Sequence, residues 1–425
     1  MLDIRLIRET PKVVEDDLKK RGDLDKVKLL HQLIELDKKR RETIQKTENL
    51  KHKRNVVTRE IAELKKNKKP VAKKLAEMKE IPAKIKKLDA QLEKSNTSIN
   101  SILMRLPNIL HSSVPIGKDE GDNKLVREWG EKPSFGFQPR DHIDLGAMLD
   151  IIDIERAAKV AGARFYYLKN ELVLLNQALI KFALDFMTKK GYVAIQPPYM
   201  LRRKAIEGAT DLADFESMIY KVENEDLYLN ATSEHALLAM HMDEILDGKR
   251  LPLKYFGISP CFRKEAGSHG RDTKGIFRIH HFEKVEQFIF CKPEQSWQLH
   301  EELIRNAEEF FQLLKLPHRV MSICTGDIGT VAAKKYDLEA WLPGQNKYRE
   351  AVSCSNCTDY QARRSGIRCR DSTSEQTKTP HTLNSTLTAT ERTLIAIMEN
   401  YQTENSVRIP DVLQPYMNGM KEIKR

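Results

Sequence analysis

Residues 262–288 read FRKEAGSHGRDTKGIFRIHHFEKVEQF. An apolar run closes at Phe262, a loop carrying Gly267, Gly270 and Gly275 follows, and a second apolar run begins, which is the pattern of a β-hairpin. In the second run Arg278, Phe282 and Glu286 recur at even spacing, so strand alternation puts them on one face. Glu265 joins that face across the hairpin. An arginine, a ring and two carboxylates then line one wall. Such a wall suits adenylate transfer: a guanidinium meets the phosphate under attack, an aromatic face meets a purine, and carboxylates meet polar groups. A basic hairpin with surface ion pairs satisfies the same spacing, and spacing alone does not choose.

Working outward, Glu171 to Thr188 has helical periodicity, with Leu172, Leu175 and Leu179 on one stripe, and Tyr192 to Ile195 reads as a short strand before Pro197 and Pro198. Further strands fit Leu253 to Ile258, Gly275 to Val285 continuing through Phe288 to Phe290, and Glu350 to Ser353. Long separations with hairpin-like returns predict an α+β fold, a mixed or antiparallel sheet with helices on one side. Neither a GxxxxGK[ST] loop nor a GxGxxG fingerprint occurs. His300 and Glu301 lack the second histidine of a metalloprotease helix, because position 304 is Ile304.

The 425 residues carry 72 Lys plus Arg against 61 Asp plus Glu, a formal +11. From Lys38 to Lys94 there are 20 basic and 8 acidic residues, so this stretch holds a net +12 and the remainder is close to neutral. Aromatic residues are partitioned as sharply: all 29 lie at or beyond Trp129. Gly117, Gly121 and Gly130, with Pro107, Pro115 and Pro133, suggest a connection between two parts. Before it, Leu50, Arg54, Val57, Ile61 and Leu64 keep a heptad-like step, as do Ile85, Leu88, Leu92, Ser95, Ile99, Ile102 and Leu106. Asn67 to Pro70 is a turn between them, so two helices of about 35 residues each fold back on one another, with a kink or break expected at Pro82. One narrow seam leaves the outer faces to solvent or to a polyanion. No stretch of about 18 apolar residues exists, and Asp3, Arg5, Arg8 and Glu9 occupy the place of a signal-peptide core, so a cytoplasmic protein with no membrane span is expected. All six cysteines fall beyond residue 260 at uneven spacing and are expected to be reduced.

The hairpin segment resembles motif 2 of class II aminoacyl-tRNA synthetases, in the form of the seryl-tRNA synthetase family. Ala231 to Glu234 (ATSE) is similar to that family's serine-binding T-x-E, Glu350 to Cys357 (EAVSCSNC) to its metal and ATP segment, and Thr382 to Gln402 (TLNSTLTATERTLIAIMENYQ) to motif 3. Pro197 and Pro198 resemble motif 1, which in the family lies at the dimer interface. The opening MLDIRLIRETPKVVEDDLKKRG and the basic hairpin look like the family's tRNA-binding arm. Leu383, Asn384, Ser385 and Thr386 stand where the common bacterial form has LNGSG, and are similar to the archaeal and eukaryotic branch.

The resemblance implies a coiled-coil arm over 1–110, a linker over 111–135 and a class II catalytic domain over 136–425, working as a homodimer. It implies ATP-dependent activation of L-serine with Mg²⁺, then transfer to tRNA(Ser), with tRNA(Sec) as a second candidate acceptor. By this resemblance Arg263, Glu286 and Arg392 are the catalytic set. Arg263 clamps the α-phosphate and the serine carboxylate, Phe282 stacks on adenine with Glu265 near its amino group, and Arg278 and Arg392 hold the outer phosphates. Lys264, Ile279, Ala351 and Val352 complete the ATP segment, and Glu350 and Ser353 bind Mg²⁺. Thr232, Ser233, Glu234, Asn384 and Thr386 join Arg263 and Glu286 around serine.

Two rivals differ in class. A paralogue that adenylates serine for another acceptor would normally lack the arm. A catalytically silent RNA-binding protein would have been free to lose Arg263, Glu286 and Arg392. Cys354, Cys357, Cys369 and His381 have a spacing that raises zinc, yet a single CxxC without a second pair is a weak signal, and the resemblance accounts for CSNC as a loop. His235, His280 and His281 are read as packing or polar support, because the implied chemistry needs no side-chain base.

Overall fold

The computed structural model describes residues 1–210, 216–265 and 274–425. The glycine-rich tip of the hairpin, with Gly267 and Gly270, lies outside the described residues. Two compact units result, Leu2–Leu106 and Pro107–Arg425 together with Met1.

In the first unit two long helices, α1 (Leu24–Lys66) and α2 (Ala72–Leu103), form the hairpin. They contain 43 and 32 residues rather than two equal lengths. The buried apolar residues of the seam are Val57 and Ile61 on α1 and Ile81, Ile85, Ile99 and Ile102 on α2, with Leu50 and Leu64 half-buried; Arg54, at a seam position, is exposed. Lys53 to Glu77 at 2.6 Å and Lys74 to Glu60 at 2.7 Å cross between the helices. Such exposed pairs contribute about 0–1 kcal/mol each, so the apolar seam carries the pairing. Helix α1 ends in a Schellman turn: Lys69 N–H donates to Leu64 O at 2.8 Å, Lys68 N–H to Lys65 O at 3.1 Å, and Lys68 is left-handed at φ 52°. Helix α2 runs through Pro82 without the expected break. The proline forfeits one helical hydrogen bond, and burial of Ile81 and Ile85 on either side keeps both halves packed. Arg8 grips the buried Asp37 with two bonds of 2.7 and 2.8 Å, anchoring the helix ahead of α1.

The second unit is built on an eight-stranded sheet among the described residues. Its strands are β1 (Lys124–Trp129), β2 (Val193–Ile195), β3 (Leu253–Phe262), β4 (His281–Cys291), β5 (His318–Ser322), β6 (Lys334–Leu342), β7 (Lys347–Asn356) and β8 (His381–Ala389). They lie in the order β1-β5-β6-β7-β8-β4-β3-β2, antiparallel except for the β2/β3 pair. Helices α3 (Asn170–Lys189), α5 (Ser296–Leu313) and α6 (Thr390–Asn400) share one apolar core with the sheet: Leu172, Leu175, Leu179, Leu303, Phe310 and Leu394 meet Val285, Ile289, Leu338, Val352 and Leu383. Each such side chain contributes about 1.5–3 kcal/mol by leaving water, which fixes which sheet face is dry. A short helix, α4 (Ser233–Ala239), lies close over Gly257 of β3, where a Cβ would stand 3.0 Å from Leu237 Cδ1 and 3.1 Å from Ser233 Cβ.

Two differences from the expected layout have local causes. Residues 111–135, expected as a linker, contribute β1, the sheet edge paired with β5. Leu125, Val126 and Trp129 are exposed there, so no buried alternation announces the strand. The strand expected from Gly275 begins only at His281, because Gly275 takes φ +76° and Ile276 N–H donates to a histidine ring instead of a ladder carbonyl.

Candidate active site

A cavity of about 420 Å³ is lined from β4, β6, β7, β8, α4 and the first turn of α6. Strand alternation on β4 points Phe282, Lys284 and Glu286 into it, while Val285 and Ile289 enter the core. Across the β4/β8 ladder Glu286 faces Thr386, and Asn384 lines the same wall. Helix α4 brings Thr232 and Glu234 to the cavity edge. Its cap is Thr232 itself, whose hydroxyl accepts Glu234 N–H at 3.4 Å.

Arg263 follows the end of β3. Its backbone N–H donates to His280 O at 2.9 Å, and its Nε donates to Ala231 O at 3.2 Å, a bond that fixes one edge of the guanidinium. The guanidinium carbon stands 5.2 Å from the centroid of the Phe282 ring. Arg278 Nη1 donates to Glu265 Oε2 at 3.0 Å. Arg392, in the first turn of α6, donates to Glu350 O at 3.0 Å and stands 3.4 Å from Glu350 Oε2. Ile279, Ala351 and Ser353 also line the cavity.

Three of the expected residues are directed elsewhere. Ser233 lies against the sheet, its hydroxyl 3.1 Å from Ser259 Oγ. Lys264 donates its N–H to Met218 O at 2.7 Å, and its ammonium sits 5.7 Å from the Tyr220 ring centroid. Val352 is buried in the core, as alternation from Ser353 requires; a bulge at Ala351 is what lets Glu350, Ala351 and Ser353 all reach the cavity.

Other cavity residues escaped the sequence reading. Lys284 Nζ stands 2.7 Å from Glu286 Oε2 and donates to Thr232 Oγ1 at 3.3 Å. The alternation that exposed Phe282 and Glu286 also marks Lys284. Lys335 of β6, Phe277 and Glu391 reach the cavity from separate segments, and no short-range pattern points to them. Glu391 is spoken for structurally: it accepts Tyr166 O–H at 2.5 Å and Glu283 N–H at 3.1 Å.

Burial dominates the electrostatics. It pushes the Glu234 carboxyl up to about 7, helped by the charge of Glu286, while Gln361 Nε2 at 2.7 Å and Asn384 Nδ2 at 3.0 Å donate to it. Burial also raises Glu286, opposed by Lys284. At Glu350 burial is outweighed by Arg392, Lys335 and Arg263, and the carboxyl is held below its usual range. His235 is pushed down to about 3 by burial, so it is neutral, as a packing residue should be. His281 stacks on Tyr166 at 4.8 Å, and His280 lies 5.0 Å from Phe165.

The ionised Glu350 and the Ser353 hydroxyl are the oxygen donors a hard divalent cation takes. Opposite Ser353 on β6, Asp337 is buried, its carboxyl pushed up to about 7 by that burial, and its Oδ1 has no hydrogen-bond partner among the described residues. The donor set therefore fits magnesium. Among the described residues no group of three or more His, Cys, Asp or Glu could hold a metal ion. Cys357 Sγ accepts from Asn384 Nδ2 at 3.6 Å, and His381 Nδ1 meets Ser296 Oγ at 2.9 Å. All six cysteines are free and buried. No helix among the described residues is long and apolar enough to cross a membrane.

Comparison with known proteins agrees along the chain. Residues 1–110 match the seryl-tRNA synthetase N-terminal domain, and 219–401 match the tRNA synthetase class II core domain (G, H, P, S and T). The serine–tRNA ligase of Nitrosopumilus maritimus is 56% identical over 425 residues, covering 100% of both chains. That of Pyrococcus horikoshii is 53% identical over 444 residues, covering 100% of this chain and 97% of the other. Among solved structures, seryl-tRNA synthetase from Pyrococcus horikoshii complexed with ATP superposes with a TM-score of 0.96 at 52% identity, covering 100% of this chain and 99% of that one. The cytoplasmic serine–tRNA ligase of Naegleria fowleri in complex with AMP gives 0.90 at 40%, with the same coverage. Motif, sheet order and whole-chain likeness converge: the chain belongs to the seryl-tRNA synthetase family of class II aminoacyl-tRNA synthetases.

Proposed function

We propose that the cavity activates L-serine with ATP and that the seryl group then passes to the 3′ end of tRNA(Ser). The serine carboxylate attacks the α-phosphorus, the bond to pyrophosphate breaks, and seryl-adenylate forms. A terminal ribose hydroxyl of the tRNA then attacks the acyl carbon, AMP leaves, and the hydroxyl proton passes to a substrate phosphate oxygen. The observation that supports this reading is one cavity shared by Arg263, Phe282 and Glu286. Arg263, held by Ala231 O, meets the charge that grows on the α-phosphate oxygens, and the ring of Phe282, which lines the same cavity, is assigned to adenine. Arg278, Glu265 and Arg392 flank the nucleotide. Glu286, Thr232, Glu234, Asn384 and Thr386 surround serine. Glu350 and Ser353 would hold Mg²⁺, which when bound neutralises phosphate charge.

The 1–110 arm, with its basic outer faces, is assigned to tRNA backbone contacts, where each lysine near a phosphate releases a counterion. The catalytic domain is assigned to residues 136–425, the assembly to a homodimer and the location to the cytoplasm. An amino-acid panel in the ATP–pyrophosphate exchange assay tests the reading. Serine alone should support exchange, Arg263→Ala should lower it by roughly 10²–10³-fold or more, and near-normal exchange by that variant would remove the role given to Arg263.

A further inference from the structure

A buried histidine far from every recognised motif fastens the wall of the nucleotide site. His142 opens a short helix, His142–Met148, and is 3% exposed. Its Nε2 accepts Ile276 N–H at 3.2 Å. A backbone N–H can only donate, so Nε2 is unprotonated and the ring hydrogen sits on Nδ1, facing Glu399 Oε1 at 3.3 Å. The same Oε1 accepts His142 N–H at 3.2 Å, and Oε2 accepts Gly344 N–H at 2.9 Å, so this fully buried carboxylate is itself fixed. Glu399 lies in the last turn of α6, the helix whose first turn carries Arg392.

The strap that His142 holds is Ile276–Phe277–Arg278, and all three residues line the cavity. Gly275 supplies an independent sign of tight fit: a Cβ there would stand 2.1 Å from His142 Nε2, and φ is +76°. Phe277 in turn receives two guanidinium groups on its ring, Arg349 at 3.7 Å and Arg392 at 4.7 Å from the centroid. A chain of contacts thus runs from Glu399 through His142 to Phe277 and back to Arg392.

We infer that His142 is a positioning residue for ATP: anchored on Glu399, its imidazole sets the strap that presents Phe277 and Arg278 to the nucleotide and braces Arg392. This rests on the reading of the cavity as an ATP site. Of the residues assigned to serine, Glu286, Thr232, Glu234, Asn384 and Thr386 stand on β4, β8 and the start of α4, and none lies on the strap. Loss of the imidazole therefore acts on ATP and spares serine.

His142→Ala is expected to raise the KM for ATP by about tenfold or more in pyrophosphate exchange while the KM for serine stays within about twofold. His142→Gln, whose side-chain oxygen can accept Ile276 N–H, should recover most of the ATP KM. Hydrogen exchange followed by mass spectrometry on peptides covering 274–280 should be faster in His142→Ala, with the sheet core unchanged. Should His142→Ala fail to fold, Glu399→Gln, which removes the charge and keeps one acceptor, should shift the ATP KM in the same direction by a smaller factor. Unchanged exchange at 274–280, parallel rises in both KM values, no rescue by His142→Gln, or no shift in Glu399→Gln would each overturn the inference. Serine-dependent exchange by the unaltered protein is the control for the functional reading, and the protection of 274–280 is measured without any reaction.

Discussion

Lys284 and Glu286 form a buried ion pair in the floor of the cavity, Nζ to Oε2 at 2.7 Å, with only 12% and 1% of their side chains exposed. They are two residues apart on β4 and so share a face. Thr232 Oγ1 accepts from the same ammonium at 3.3 Å, which ties α4 to the sheet at this point. Burial raises the Glu286 carboxyl, and the ammonium of Lys284 opposes that rise.

Lys284→Met leaves Glu286 buried without its cation, a change that costs about 3–5 kcal/mol in comparable buried pairs. The expected result is a lower melting temperature and a serine KM raised about tenfold or more, with the ATP KM within about twofold. Thermal denaturation and exchange kinetics on the same preparation read both effects.

Glu286→Ala removes the group proposed to require a substrate hydroxyl. An unpaired buried polar group costs about 1–3 kcal/mol, so preference for serine over alanine in kcat/KM should shrink by roughly 5- to 150-fold. Competition between the two amino acids in the exchange assay checks this. An unchanged ratio would place discrimination elsewhere, with Asn384 or Thr386 next in line.

Protonation of Glu234 gives a pH signature. Its carboxyl titrates near 7 because of burial, so it is charged above that pH and neutral below it. A neutral Glu234 attracts the serine ammonium less, and the serine KM should climb as pH falls through 7. Glu234→Gln should flatten the profile. The same shift acts on stability with a definite sign. The folded form binds the proton more tightly than the unfolded chain, so this group's contribution is complete below the ordinary carboxylate pKa and is lost as pH rises through 7.

Removing Lys38 to Lys94 separates the two proposed roles of the chain. Arg40 Nη1 donates to Asn96 Oδ1 at 3.1 Å, so α1 and α2 run side by side at the cut and a short loop can rejoin them. Serine-dependent pyrophosphate exchange should persist near its normal rate while tRNA charging is lost. Retained charging would make the basic arm a structural element only.

Much of the site was legible wherever local periodicity carries it. Phe282 and Glu286 point one way because strands alternate, and the heptad step announced the arm with its turn at Asn67 to Pro70. Lys284, between Phe282 and Glu286 on β4, obeys the same alternation and lines the same cavity. Val352 lies between two cavity residues in the chain, yet alternation sends its side chain to the core. The bulge at Ala351, which rescues Glu350 for the cavity, follows from pairing with β6 and has no signature in the residues themselves. Strand β1 escaped because a solvated edge strand shows no buried face.

Charge placement, the heptad seam and the β4 alternation are properties of near neighbours in the chain, and the amino-acid order alone determined them through backbone geometry. The bond between His142 and Ile276 spans 134 positions, and that between Asn384 and Glu234 spans 150. Contacts of that kind arise only when the whole sheet has closed its core, because burial then forces each polar group to take whatever partner the packing brings within reach. Tertiary structure alone decided which carboxylates lost their water, and with it the protonation of Glu234 and the charge of Glu350 on which the proposed chemistry depends.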